Sequence, residues 1–397
     1  MSLEIRIHIG KLLVASGLVV QHPLNFIFTM KPLILTIAFV VIALATLAQG
    51  TLVSRTFVSP SIDGNRGGED PNRRLTIYLP PGYEGNSTER YPVLYFLHGF
   101  AANDEIMITF IDFKSLIDSA ISARTIRPVI VVLPNSESKY YGSFYSNSEV
   151  AGNWADYIGK DVVDYVDKNF RTIANRDSRG LFGHSMGGTG ALKMAMLFPD
   201  QFSAVYAMSP GAMHFSDDFA LPHPSFKRVS QQKSMDSLLN VAVDHDFQNF
   251  PFFELIYASL ARMYSPNVDE PLLQADQPIS YRDGQMMVNA DVLKKWEANF
   301  PINMVDDHIA QLKSLTALQI DWGRNDEFKH IPVTCREFSK KIEALGINHF
   351  AEEYMGNHLD MLGGFEGRIF TEAFPFFERY LKKQPPASPT LAVRKRK

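Results

Sequence analysis

Cysteine is nearly absent: Cys335 is the single thiol in 397 residues, which excludes an internal disulfide framework. No Cys/His cluster has the spacing of a structural zinc site either, and the chemistry inferred below needs neither a metal nor an organic cofactor. Stability must therefore come from packing. Cys335 lies in Val333-Thr334-Cys335-Arg336-Glu337-Phe338, which reads as the start of a helix and makes it an inert, partly buried thiol. Charge of one sign is lacking too. The 43 acidic and 39 basic residues are spread along the chain and leave a formal net charge of -4, so no domain-wide basic face invites nucleic acid as a partner. Internal repeats are missing as well.

What is present is a large supply of core-forming side chains, 46% hydrophobic and 12% aromatic, enough for a sizeable globular core. Met30-Lys31-Pro32, an apolar run from Leu33 to Ala45 and Thr46-Leu47-Ala48-Gln49 have the charged, apolar and small-residue regions of a secretory signal. Residues 1–48 are therefore expected to be a signal peptide, with Met30 as an alternative start, and the mature chain to be secreted or periplasmic. The run is short for a bilayer span and no basic stop follows it, so no stable membrane span is expected after signal removal. Residues 384–397, Pro-rich and ending Arg394-Lys395-Arg396-Lys397, read as a disordered basic tail.

Between these ends, residues 49–383 read as one catalytic domain. Arg74 to Leu79 alternates and stops at Pro80-Pro81, as a sheet-edge strand would. Val93–Leu97 and Val129–Leu133 are unbroken apolar runs, the pattern of parallel strands buried on both faces. Helical spacing follows over Tyr157–Phe170 and Gly190–Phe198. Further strands are expected at Gly180–Gly183, Ala204–Met208, Ala317–Trp322 and Phe350–Tyr354. The repeated βα order predicts an α/β domain with a mainly parallel, doubly wound sheet. From about 211 to 315 the rhythm breaks over a Phe-, Met-, Pro- and Asp-rich stretch too long for a loop, read as a helical cap insertion.

The strongest chemical signal is Gly183-His184-Ser185-Met186-Gly187-Gly188, a G-x-S-x-G pattern between a short strand and a helix. A tight strand-to-helix turn crowds its flanks, and glycines two residues either side of the serine relieve that crowding. The turn presents Ser185 at a helix N-terminus, where the Met186 amide favours an oxyanion. A serine hydroxyl needs a base, and the base a carboxylate. In chain order the acid and histidine follow on loops past later strands. Asp326 lies just past the strand that contains Asp321, which makes Asp321 the poorer candidate. Of His330, His349 and His358, His330 is four residues from Asp326 and hard to aim at the serine, while His349 opens the last strand; His358 lies beyond it in Met355-Gly356-Asn357-His358. The second oxyanion donor is expected in Leu97-His98-Gly99-Phe100, at the Phe100 amide, with His98 bracing the turn.

These motifs, together with Gly142-Ser143-Phe144-Tyr145, Trp154-Ala155-Asp156-Tyr157 and Gly323-Arg324-Asn325-Asp326, resemble the esterase family of α/β-hydrolases that includes S-formylglutathione hydrolases, bacterial feruloyl esterases and mycobacterial mycolyltransferases. The resemblance spans residues 73–381. It implies the α/β-hydrolase fold, a triad on Ser185, Asp326 and His358, and oxyanion donors on Phe100 and Met186. Tyr141, Phe144, Tyr145 and Trp154 are candidates to line an acyl or alcohol pocket. Two departures bear on substrate: Asn357 stands where many relatives have a second glycine, and the cap is longer than in simple members. The expectation is an exported serine esterase acting on a small-molecule or carbohydrate-linked ester. The alternatives are an acyltransferase to a sugar or lipid hydroxyl, and a catalytically silent binding protein of the same fold. S-formylglutathione is cytosolic, so an exported chain would not meet it.

Overall fold

The computed structural model describes residues 49–85, 88–232, 234–239 and 251–382. The expected signal segment and basic tail lie outside these residues. Eight strands form one sheet: β1 (Thr51–Val58), β2 (Asn72–Leu79), β3 (Val93–Leu97), β4 (Ile130–Pro134), β5 (Arg179–His184), β6 (Ala204–Met208), β7 (Ala317–Gly323) and β8 (Phe350–Tyr354). Their spatial order is β1-β2-β4-β3-β5-β6-β7-β8. The six strands from β4 to β8 are mutually parallel, while β2 runs antiparallel to β4 and β1 antiparallel to β2. This mostly parallel sheet flanked by helices is the α/β-hydrolase fold.

One expectation changes here. The strand over residues 74–79 is not at the sheet edge, because β1 pairs along its whole length, from Thr51↔Leu79 to Val58↔Asn72. β1 is mostly exposed and carries Ser54, Arg55 and Thr56 in its centre. It has no continuous apolar run to betray it, which is how an edge strand is normally kept from pairing with other chains.

The helices divide between the two faces as the period-two alternation of the strands dictates. Val93, Tyr95, Leu97, Leu181, Val205 and Ile320 point into the larger core. There they meet α3 (Val163–Asn169), which continues a π-helical turn, α4 (Met186–Leu197) and α8 (His330–Ala344). Leu94, Phe96, Val131, Phe182, Tyr206 and Met208 point the other way. They pack on α1 (Asp104–Ile111), α2 (Phe113–Ser122) and α9 (Phe374–Tyr380). This second layer is closed by Phe-rich contacts, such as Phe96 against Phe113 and Phe182.

Between β6 and β7 the described residues contain α5 (Pro224–Ser230), α6 (Phe252–Tyr264), α7 (Ala290–Asn299) and several shorter helices, but also a β-hairpin, Ile279–Arg282 with Gln285–Val288. The segment is therefore mixed rather than purely helical. Its aromatics stack on one another, with Phe219 on Tyr257 and Phe226 against Tyr257, and join the core of the larger face. No helix among the described residues is long and apolar enough to cross a membrane.

Candidate active site

The site begins at the end of β5. Ser185 caps α4 with φ 58 and ψ -120, a sparsely populated conformation that costs about 1–3 kcal/mol and persists only where its surroundings impose it. Three backbone bonds do so: Ser185 N donates to Met208 O at 3.0 Å, and Ser185 O accepts from Thr189 N at 3.1 Å and Gly211 N at 3.3 Å. The flanking glycines are required by contact. A Cβ on Gly187 would overlap the Leu97 carbonyl, and one on Gly183 would collide with the Gly187 carbonyl.

The turn after β3 lies against this elbow. A Cβ on Gly99 would sit 3.4 Å from Ser185 Cβ and 4.0 Å from Oγ, so the following Phe100 amide belongs to the same neighbourhood. His98, expected to brace this turn, does so. Its Nε2 accepts from Ser136 N at 2.8 Å, which leaves Nδ1 as the donor to Gly99 O at 2.9 Å. Burial pushes its pKa down to about 4, so the ring is neutral near pH 7.

Asp326 lies three residues beyond β7 and is fully buried. Its Oδ2 meets His358 Nδ1 at 2.7 Å, and its Oδ1 accepts from Phe328 N at 2.9 Å. The His358 loop, past β8, is held from three sides. His358 N donates to Glu327 Oε2 at 3.0 Å, and His358 O lies 2.8 Å from His184 Nε2. Phe328 packs edge-on to the His358 ring with centroids 4.9 Å apart. His184, next to the serine, ties the end of β5 to the His358 loop, with the two rings 4.6 Å apart. Burial, then the neighbouring His358, lower the His184 pKa to about 3. Among the described residues no hydrogen bond joins Ser185 Oγ to His358 Nε2.

The poorer acid candidate, Asp321, has other partners. It is buried within β7, paired with Arg368 and hydrogen-bonded to Tyr206, and burial raises its pKa to about 6 despite the guanidinium. His349 Nε2 pairs with Ser339 Oγ at 2.7 Å, and Cys335 is fully buried with its pKa raised by burial.

Of the four aromatic pocket candidates, Phe144 lines the cleft beside Ser185. Tyr145 and Trp154 do not. Tyr145 is wholly buried and donates its hydroxyl to His98 O at 2.9 Å, while Trp154, also wholly buried, donates to Ala151 O at 2.7 Å beneath the Arg73 guanidinium. Both brace the scaffold under the site. Tyr141 reaches Leu239 O with its hydroxyl at 3.0 Å. The cleft itself is lined by Phe100, Phe144, Met186, Phe219, Phe252 and Phe328 among others, and holds only about 30 Å³, room for roughly one water. A larger cavity of about 410 Å³ lies elsewhere, between His214, Phe300 and Lys341, and includes neither Ser185 nor His358.

The model of the family described as Putative esterase matches residues 70–361. The chain belongs to this esterase family. The match contains every candidate described above, from the Phe100 turn to the His358 loop. Esterase Rv1288 of Mycobacterium tuberculosis H37Rv is 34% identical over 296 residues, which cover 72% of this chain and 53% of that protein. The chain thus spans about half the length of the curated relatives it matches. Among solved structures, a ferulic acid esterase aligns with a TM-score of 0.56 at 20% identity, over 84% of this chain and 99% of that one. The S-formylglutathione hydrolase FrmB of Staphylococcus aureus aligns at 0.51 and 17%, over 84% and 99%. At such identities the likeness is one of fold, and this esterase-family chain shares it from end to end of both enzymes.

Proposed function

We propose that the chain is an exported serine esterase that hydrolyses carboxylic esters through an acyl-enzyme on Ser185. The reading rests on one observation: a buried carboxylate and an imidazole, Asp326 and His358, are paired at 2.7 Å, and His184 ties the His358 loop to the strained Ser185 turn. Ser185 Oγ attacks the ester carbonyl carbon while His358 Nε2 takes its proton. The tetrahedral intermediate collapses, the C–O bond to the alcohol breaks, and His358 returns the proton to the departing oxygen. Water then repeats the sequence on the acyl-enzyme. Asp326 holds the Nδ1–H tautomer and stabilises the imidazolium. The Phe100 and Met186 amides, neither of which donates to another group among the described residues, serve the oxyanion. The Ser185–His358 hydrogen bond has to close when substrate arrives, as such bonds commonly tighten only in the substrate complex.

The small cleft favours short acyl groups; a longer chain would have to displace Phe252 or Phe219. Export rests on the signal-like sequence at 30–49. Purified protein should hydrolyse p-nitrophenyl acetate and be labelled by a fluorophosphonate. Ser185→Ala should lose both, with a fall in kcat of at least about 10⁴-fold. A variant that keeps most of its rate would refute the assignment.

A further inference from the structure

Another imidazole–carboxylate pair, distinct from Asp326–His358, faces Ser185. His330, the first residue of α8, is buried, and its Nδ1 lies 2.8 Å from Asp218 Oδ1. Asp218 is itself fixed at the head of that helix: Oδ1 also accepts from His330 N at 2.8 Å, and Oδ2 from Lys329 N at 3.0 Å. Burial works to raise the Asp218 carboxyl, but the hydrogen bond and charge of His330, with the two amides, outweigh it and hold it below its usual range. In the neutral imidazole, Asp218 keeps the ring proton on Nδ1 and leaves Nε2 as a lone-pair acceptor.

Nε2 has no hydrogen-bond partner among the described residues, and His330 lines the cleft with Ser185. A single point fixes their relation. A Cβ built on Gly211 would be 3.8 Å from His330 Nε2 and 3.9 Å from Ser185 Oγ, so both atoms look onto the same small space. The ring cannot easily leave, since Phe219 packs on it at 5.2 Å and Phe328 at 6.3 Å, the latter also holding His358. An acceptor held in place and open to the cleft can take a hydrogen bond from a hydroxyl that enters it.

We infer that His330, oriented by Asp218, is a specificity-determining residue that accepts a hydrogen bond from a substrate hydroxyl a few bonds from the scissile carbonyl. This rests on the esterase reading above. The hydroxyl has two sources with one chemistry, a hydroxyacyl group or the alcohol portion of a polyol monoester, and both fit an acceptor so near the reacting carbon.

The test measures kcat/KM for two matched pairs, p-nitrophenyl β-hydroxybutyrate against p-nitrophenyl butyrate and monobutyrin against propyl butyrate. The wild type should favour the hydroxylated member of one pair by about tenfold, the size expected of one hydrogen bond. In His330→Phe that preference should vanish, the hydroxylated ester losing about tenfold more than its deoxy partner. His330→Asn, which keeps an acceptor, should retain part of the preference and serves if the phenylalanine variant does not fold. The pair that discriminates identifies the source of the hydroxyl. No preference in the wild type, or equal losses on both members in the variants, overturns the inference and makes His330 a packing residue. A chain that cleaves the deoxy esters but does not discriminate fails here alone; one that cleaves none of the four fails the esterase reading as well.

Discussion

The site holds two Asp–His pairs with nearly the same bond, 2.7 Å for Asp326–His358 and 2.8 Å for Asp218–His330, yet they are built differently. The first joins two loops at the carboxyl edge of the sheet, and its carboxylate is wholly buried. The second is a helix cap: Asp218 is drawn from the segment between β6 and β7 and spends two of its bonds on backbone amides at the start of α8. Asp326 spends its second oxygen on one amide of its own loop, Phe328 N, whereas Asp218 also anchors the start of a helix. The acid–base distance alone does not tell the two pairs apart; what else each acid holds does.

The sharpest way to break the comparison is to neutralise each acid in turn. Asp326→Asn should lower kcat on p-nitrophenyl acetate by about 10⁴-fold, because the amide imposes the wrong tautomer on His358. Asp218→Asn should cost at most about tenfold on the same ester. Equal losses would erase the distinction, and a larger loss in the second variant would transfer the base to His330. Circular dichroism on both proteins separates chemistry from folding.

A third carboxylate, Asp321, extends the contrast from chemistry to stability. Arg368→Met should leave Asp321 buried and unpaired and destabilise the fold by about 3–5 kcal/mol in denaturant unfolding. Esterase activity of the remaining folded protein should persist. A midpoint indistinguishable from that of the wild type would show that the pair is not buried as described.

The smallest effect concerns imidazoles without a carboxylate. His98 and His184 have folded pKa values near 4 and 3, against the ordinary 6.5. Between these values the unfolded chain binds more protons than the folded one. Their contribution is therefore complete above pH 6.5 and declines as pH falls toward 4, by up to about 1.4 kcal/mol per pH unit for each. His98→Asn should make the pH dependence of unfolding free energy shallower by about one proton in that window. An unchanged slope would mean that His98 is not held neutral.

Much of the fold was legible because parallel strands buried on both faces must be apolar throughout. Val93–Leu97 fell where expected, and the run from Val129 lost only its first residue. The helix after Ser185 begins four residues before the apolar spacing suggested, at Met186, since glycines carry no periodic signal yet are what the contact with the β3 carbonyls demands. β1 was invisible because an exposed edge strand has no apolar pattern to show. At the site, chain order pointed to Asp326 and His358, while His330 was set aside as too near Asp326 to reach the serine. That argument held for a loop and failed for a helix start, where Asp218, over a hundred residues earlier, turns the ring toward the cleft. Tyr145 and Trp154 looked like pocket aromatics and proved to be buried braces, a difference that residue type does not encode.

The sequence by itself determined the alternation of strands and helices, the serine turn and the family, since each depends on neighbours within a few residues: buried strands need apolar runs, and a crowded turn needs glycines. Only the tertiary structure decided which histidine meets which carboxylate and which aromatics face the cleft. Those pairings join residues far apart in the chain, and no local preference records the packing that brings them together.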